Sequence, residues 1–197
     1  MKNKLSKTLL SFISVITFIM AIPFAAHAIE VTMKLVPSPD GNILFIRNQK
    51  PGRLYDLLRH VFRYDYQNIK IVGKMSEDDF RWLSFAMSSA CKTIDLSGVD
   101  SRFMPKSTFC GKSSLEKFIL PSNLEVIEES CFCKCRNLKT VIFPKSLKYI
   151  GNSCFALCGK LKLNVPIDRT ISEEVLYKSP KVFFTKHVSC VDTIIKL

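Results

Sequence analysis

A chain of 197 residues with 47% hydrophobic and 23% charged side chains has the composition of a folded domain and excludes a disordered or fibrous polymer. Its net charge of +12 favours acidic partners without naming one. All 8 cysteines lie beyond residue 90, so the thiols are concentrated where the repeats described below occur.

The first 28 residues read as an export signal. Lys2, Lys4 and Lys7 give a positive start, Leu9 to Ile22 is apolar apart from Ser and Thr, and Pro23 precedes the small-residue site Ala26-His27-Ala28. The apolar run is shorter than the roughly 20 residues a membrane-spanning helix needs, so cleavage after Ala28 is expected rather than an uncleaved anchor. Loss of the three lysines would lower the net charge from +12 to +9. No second long apolar run follows, so no membrane span is expected after cleavage. The expected location is outside the cytoplasm: secreted, at the cell surface or periplasmic.

Residues 29–90 are expected to form an N-terminal hairpin and helical cap. Val31, Met33 and Leu35 alternate with polar neighbours, and Pro37 to Asn42, with its Asp40-Gly41 step, turns the chain before the strand at Ile43 to Ile46. Pro51-Gly52 opens a helix with Leu54, Leu57, Leu58, Val61 and Phe62 on one stripe and Arg53, Arg59, His60 and Arg63 elsewhere. A solvated face explains those basic residues more simply than an anion site. A second helix is expected from Ser76 to Ala90, buried through Phe80, Leu83, Met87 and Ala90. Ser76 and Asp79 have capping-box spacing, and Glu77 and Asp78 suit the positive end of the helix dipole. Capping accounts for these carboxylates without a catalytic pair.

An internal repeat follows. Residues 115–137 align without a gap on residues 138–160, with Leu115, Ile119, Pro121, Leu124, Ile127, Ser130, Cys131, Phe132 and Cys135 each recurring 23 positions later. Met104, Phe109 and Cys110 share the phase one repeat earlier, Ile94-Asp95-Leu96 aligns with one extra residue, and Ile69-Lys70-Ile71 resembles an earlier copy. One such unit leaves apolar residues exposed above and below, so the units must stack as a solenoid. In each coil a short strand, 118–120 or 141–143, is ended by Pro121 or Pro144, which lack the amide that would continue a ladder. The strands are expected to stack in parallel into one narrow sheet, with Phe118, Leu120, Val141 and Phe143 inward and Lys117, Ile119, Thr140 and Ile142 outward. Phe109, Phe132 and Phe155 are expected to line up as a spine.

The spacing Leu-x-x-Phe-x-Leu-Pro-x-x-Leu-x-x-Ile-x-x-x-x-Phe-x-x-Cys ending at Cys135, and its copy ending at Cys158, resemble the BspA-like leucine-rich repeat family. Residues 69–73, the helix from Ser76 and residues 92–97 are similar to the portion preceding such repeats in exported proteins of gut and oral bacteria. The resemblance implies an α/β leucine-rich-repeat solenoid with a short parallel sheet, two N-terminal helices and a C-terminal cap. The solenoid is expected over residues 91–166 and the cap over residues 167–197, which include Val182-Phe183-Phe184. It further implies a secreted or cell-surface protein-interaction module, adhesive in some members, with no catalytic residue to carry over.

The cysteines invite stronger readings. Cys131-x-Cys133-x-Cys135 has tighter spacing than zinc sites use and lacks a second pair or histidines, so no metal and no cofactor is expected. Cys131 with Cys154, and Cys135 with Cys158, occupy equal phases and suit a ladder of small buried thiols. Their separation also permits disulfides, although parallel side-chain vectors favour thiols. A cysteine hydrolase would need an organised thiolate and base; His187, Cys190 and Asp192 are close in sequence but need not converge, so no enzyme is expected. Dispersed basic residues and the export signal argue against nucleic acid.

The expected function is protein binding through the outward strand face. Lys70, Asp95, Ile119 and Ile142 should form one row there, and Thr93, Lys117 and Thr140 its neighbour. Outward isoleucines in a basic setting can anchor a protein partner, though β-branched residues also favour strands for their own sake. A structural component of the cell envelope is the alternative, with a cysteine-dependent hydrolase behind it.

Overall fold

The computed structural model describes residues 31–58 and 66–162. The expected export segment, residues 1–28, and residues 167–197, including the expected cap and the His187, Cys190 and Asp192 group, lie outside them.

The alternating segment at the start pairs as expected. Strand β1 (Val31–Val36) runs antiparallel to β2 (Ile43–Asn48), with Val36 opposite Ile43 across the Pro37 to Asn42 turn. From β2 onward every neighbour is parallel: β3 (Asn68–Lys74), β4 (Thr93–Asp100), β6 (Lys117–Ile119) and β8 (Thr140–Ile142) extend one sheet in the order β1-β2-β3-β4-β6-β8. Leu44 pairs with Ile69, Ile69 with Ile94, Ile94 with Phe118 and Phe118 with Val141, so the coils step by 25, 25, 24 and 23 residues. All five side chains are buried.

A second narrow sheet, which the sequence reading did not include, closes the opposite side of the later coils. Strands β5 (Phe103–Met104), β7 (Val126–Ile127) and β9 (Tyr149–Ile150) pair in parallel in that order. Met104 and Ile127 face inward, and two residues are too few for alternation to be read as a strand.

In the earlier coils the outer side is helical. Helix α1 (Leu54–Leu58) buries Leu54 and Leu58; Val61 and Phe62 of the expected stripe fall outside the described residues. Helix α2 (Glu77–Ala86) begins with the expected capping box: Asp79 N donates to Ser76 Oγ at 3.2 Å, and Ser76 N donates to Asp79 Oδ2 at 2.9 Å. The fully buried Asp79 carboxylate also accepts Gly52 N at 2.6 Å and Leu54 N at 2.9 Å. One side chain therefore satisfies orphan amides at the starts of both helices. Helix α2 stops four residues short of Ala90. The buried Tyr66 hydroxyl donates to Ala86 O at 2.6 Å and accepts Ser88 N at 3.3 Å, satisfying a terminal carbonyl while the chain turns away at Met87. Burial pushes the Tyr66 phenol up to about 12, so it keeps this donor proton throughout the neutral range.

Phe109, Phe132 and Phe155 stack in the interior, with ring centroids 5.7 and 5.4 Å apart and interplanar angles of 12° and 6°. Phe118 meets both Phe109 and Phe132 edge-on, the arrangement favoured by the ring quadrupole. The corner that carries each spine residue is a pair of overlapping turns. Phe109 N donates to Cys131 O at 2.8 Å and Phe132 N to Cys154 O at 2.9 Å, joining coil to coil. Two residues of each corner are left-handed: Ser107, Ser130 and Ser153 at φ 57°, 55° and 55°, and Gly111, Lys134 and Leu157 at φ 76°, 61° and 62°. Only the first coil places glycine at the second of these positions. Lys134 and Leu157 therefore bear a conformational cost of about 1–2 kcal/mol each, as expected for L-residues held left-handed.

Removing the Phe132 ring should leave a void at the middle of the spine: Phe132→Ala is expected to cost about 3–5 kcal/mol in urea unfolding. The exposed Leu157 has the opposite expectation, since Leu157→Gly relieves strain without opening the core. That change should raise stability by about 1 kcal/mol in the same measurement.

Candidate binding face

The outward side chains of the six-stranded sheet fall into rows set by the strand register. Lys70 lies opposite Asp95, Asp95 opposite Ile119 and Ile119 opposite Ile142; Thr93 lies opposite Lys117 and Lys117 opposite Thr140. All seven expected residues are brought together on one face. Their inward neighbours Phe118, Leu120, Val141 and Phe143 are buried, so the core fixes which side chains point out.

The first row extends further than the sequence reading took it. Phe45 of β2 lies opposite Lys70, and Lys34 of β1 lies opposite Phe45. The Lys34 ammonium sits 5.2 Å from the centre of the Phe45 ring, a cation–π contact. The 25-residue step between β2 and β3 could have revealed Phe45, but the 23-residue alignment does not reach it.

Chemistry changes along this row from charged to apolar. Lys70 Nζ donates to Asp95 Oδ2 at 2.8 Å, and Asp95 Oδ1 accepts Ser97 N at 2.9 Å and Ser97 Oγ at 2.6 Å. Burial opposes the Asp95 charge, but the Lys70 and Ser97 donors outweigh it and hold the carboxyl below the usual carboxylate range. Beyond the ion pair, Ile119 is half-buried and Ile142 is 44% exposed. Lys117 and Thr140 flank the isoleucines and are exposed.

The edges of this face are stitched by pairs one coil apart. Lys139 reaches Glu116 at 2.6 Å, and Asn137 Nδ2 donates to Ser113 O at 2.8 Å. On the opposite side Lys148 reaches Glu125 at 2.6 Å and Lys106 reaches Glu129 at 2.5 Å. Being exposed, such ion pairs are screened by solvent and add little stability. They hold the surface in register more than they stabilise it.

Two apolar features outside this face escaped the sequence reading. Phe103, Val126 and Tyr149 form a register-matched outward row on the second sheet, with Phe103 43% and Tyr149 53% exposed. On the helical side Tyr55 packs on Trp82 at 4.3 Å and Trp82 meets Phe85 at 5.7 Å. Neither could be read as outward before the short sheet and the ends of α1 were known.

The expected thiol ladder is present in geometry. Cys131, Cys135, Cys154 and Cys158 are fully buried; Cys135 Sγ donates to Phe109 O and Cys158 Sγ to Phe132 O, both at 3.0 Å. Burial drives the Cys131 and Cys154 thiols well above the ordinary value, and the bond to the Cys158 thiol together with burial does so for Cys135. Such thiols are poor nucleophiles. Lys112 takes the equivalent place one coil earlier, where burial lowers its pKa. Among the described residues no three His, Cys, Asp or Glu side chains are grouped to hold a metal ion, and no helix is long and apolar enough to cross a membrane.

The BspA type leucine-rich repeat region matches residues 66–186 in six copies. The chain belongs to this family. Its repeat thus begins at the helical coils, before the stretch in which the 23-residue identities are visible. Among solved structures, a leucine-rich repeat protein of T. pallidum is similar over 73% of this chain and 72% of its own, with 20% identity and a TM-score of 0.42. A leucine-rich repeat protein of Bacteroides ovatus is similar over 62% of this chain and 37% of its own, with 21% identity and a TM-score of 0.36. No curated protein matches the chain.

The Lys70–Asp95 pair gives the face a pH signature. Folding lowers the Asp95 pKa, so its contribution is complete above the unfolded value of about 3.9 and is lost as pH falls through the folded value. Asp95→Asn removes that titration. The variant should lose less stability than the parent on acidification from about pH 5 to pH 2, measured by denaturant unfolding at each pH.

Proposed function

We propose that this leucine-rich repeat protein is an exported, non-catalytic interaction module that captures a protein partner on the outer face of its parallel sheet. The family supports a binding role, because leucine-rich repeat solenoids present an extended surface on a rigid stack. Residues 1–28 supply the export signal, placing the module at the cell surface or in the surrounding medium. There an adhesive contact with a host or bacterial surface protein is the role that fits.

The observation that carries this reading is the register-matched pair Ile119 and Ile142 beside Lys117 and Thr140. A rigid sheet offers apolar anchors at little entropic cost, and a rim of polar and basic side chains selects a partner with complementary acidic groups. Lys34, Lys70 and Lys117 lie on this face, while the Asp95 carboxylate is already engaged by Lys70 and Ser97. A partner's carboxylates would therefore meet more cationic than anionic groups. Structural assembly into the cell envelope would use the same face against a fixed neighbour, and surface labelling of intact cells against fractionated envelopes separates the two roles.

The test is a binding screen of the exported chain against host matrix proteins, glycans and whole bacteria, followed by the double variant Ile119→Ser/Ile142→Ser. Loss of a central apolar anchor worth about 2 kcal/mol should weaken binding about 30-fold, with the unfolding midpoint little changed because both side chains point outward. Unchanged affinity would reject this face. Sensitivity to Phe103→Ser/Tyr149→Ser instead would transfer the site to the second sheet.

A further inference from the structure

The cysteines fall into two physical classes, and only one was legible in the repeat. Among the described residues Cys91, Cys131, Cys135, Cys154 and Cys158 are sealed in the core. Cys110 is exposed and Cys133 is partly so, and these two also share a phase one coil apart. The backbone fixes their stacking from both sides: Phe109 N donates to Cys131 O at 2.8 Å, and Gly111 N donates to Cys133 O at 2.7 Å. Stacked rungs of this kind bring equivalent Cα atoms to about 4.8 Å, within the range a disulfide spans. The two thiols are close enough to interact: burial, and then the neighbouring Cys110 thiol, push the Cys133 thiol up, and Lys134 offsets only part of that rise. The next coil has the buried Ala156 at this position, so the pairing is confined to two coils.

We propose that Cys110 and Cys133 form a solvent-accessible dithiol that exchanges with disulfides and closes into a cross-link between adjacent coils. The exposed Cys110 attacks first: its thiolate forms a bond to one sulfur of a small-molecule or protein disulfide, whose S–S bond breaks and releases one thiolate. Cys133, deprotonated in turn, attacks the Cys110 sulfur, forms the inter-coil S–S bond and releases the second thiolate. The protein loses two electrons and two protons; the external disulfide takes up both and leaves as two thiols. Expected export places the pair where oxidising disulfides persist. The buried pairs take no part, because neither the oxidant nor its leaving thiol can reach them. This assignment is independent of the binding face, since the corner that carries Cys110 and Cys133 lies away from the row of Ile119 and Ile142.

The experiment treats the fully reduced, folded full chain with oxidised glutathione, then traps free thiols and maps the digest by mass spectrometry. Expected are the loss of two titratable thiols, a peptide linking Cys110 to Cys133, and no retained glutathione. Cys133→Ser, which lacks the resolving thiol, should instead hold glutathione stably on Cys110. A parent chain that keeps glutathione on Cys110, that links other cysteines such as Cys131 to Cys154 or Cys110 to Cys190, or that keeps all its thiols overturns the assignment.

Discussion

Each of the later coils of this protein is held in register to the next by backbone hydrogen bonds at three places around its circumference. The main sheet, the second sheet and the corner beneath the phenylalanine spine each contribute a ladder. A coil on its own has little interior, so the apolar side chains of one winding are buried by those above and below. The consequence for the surface is strict. Side chains alternate along a strand, and a slip of one residue would turn Ile119 and Ile142 inward and drive Phe118 and Val141 into water. The candidate face is thus a by-product of the core: the row from Lys34 to Ile142 exists because the buried row beside it has no other register.

The two ends of the described solenoid solve the same closure problem differently. Coils of 25 residues carry helices on the outer side, and these need their amide ends satisfied. Asp79 meets that need for α1 and α2 together, while Tyr66 secures the end of α2. Coils of 23 residues have no room for a helix and close through two-residue strands and left-handed corners instead. Small side chains such as Ser and Cys line those corners. The glycine-like backbone at Lys134 and Leu157 is the cost of the tight bend, outweighed by the burial of Phe132 and Phe155. Gly73 shows the same economy at the helical end, since a Cβ there would come within 1.9 Å of Asn48 O.

Rigidity and chemistry are separated around the coil. The spine and the buried thiols stabilise; the sheet face turns an ion pair, a lysine and two isoleucines outward; the accessible cysteines sit at the corner. Because these regions do not share residues, the outward face can vary while the stack stays intact. The same stack would let the proposed covalent tie at the corner act on stability without reshaping the outward row.

Much of this was legible because a solenoid repeats its instructions. Recurrent Pro121 and Pro144 mark strand ends, recurrent phenylalanines mark the interior, and a constant step between Ile119 and Ile142 is enough to place them side by side. The capping box at Ser76 and Asp79 is equally local, so spacing alone reveals it. What spacing could not show is any relation that depends on a second partner in space. The reach of Asp79 to α1, the early end of α2 at Tyr66, the two-residue strands of the second sheet and the contact of Lys34 with Phe45 join residues through packing, with no periodic signal to announce them. Sequence by itself determined the winding and, along the main-sheet strands of the repeats, the identity of the inward and outward side chains, because both follow from periodicity and apolar burial. Tertiary structure alone decided which thiols meet solvent and which apolar side chains outside the main sheet stay exposed, because exposure is set by neighbours that the chain brings together only when it folds.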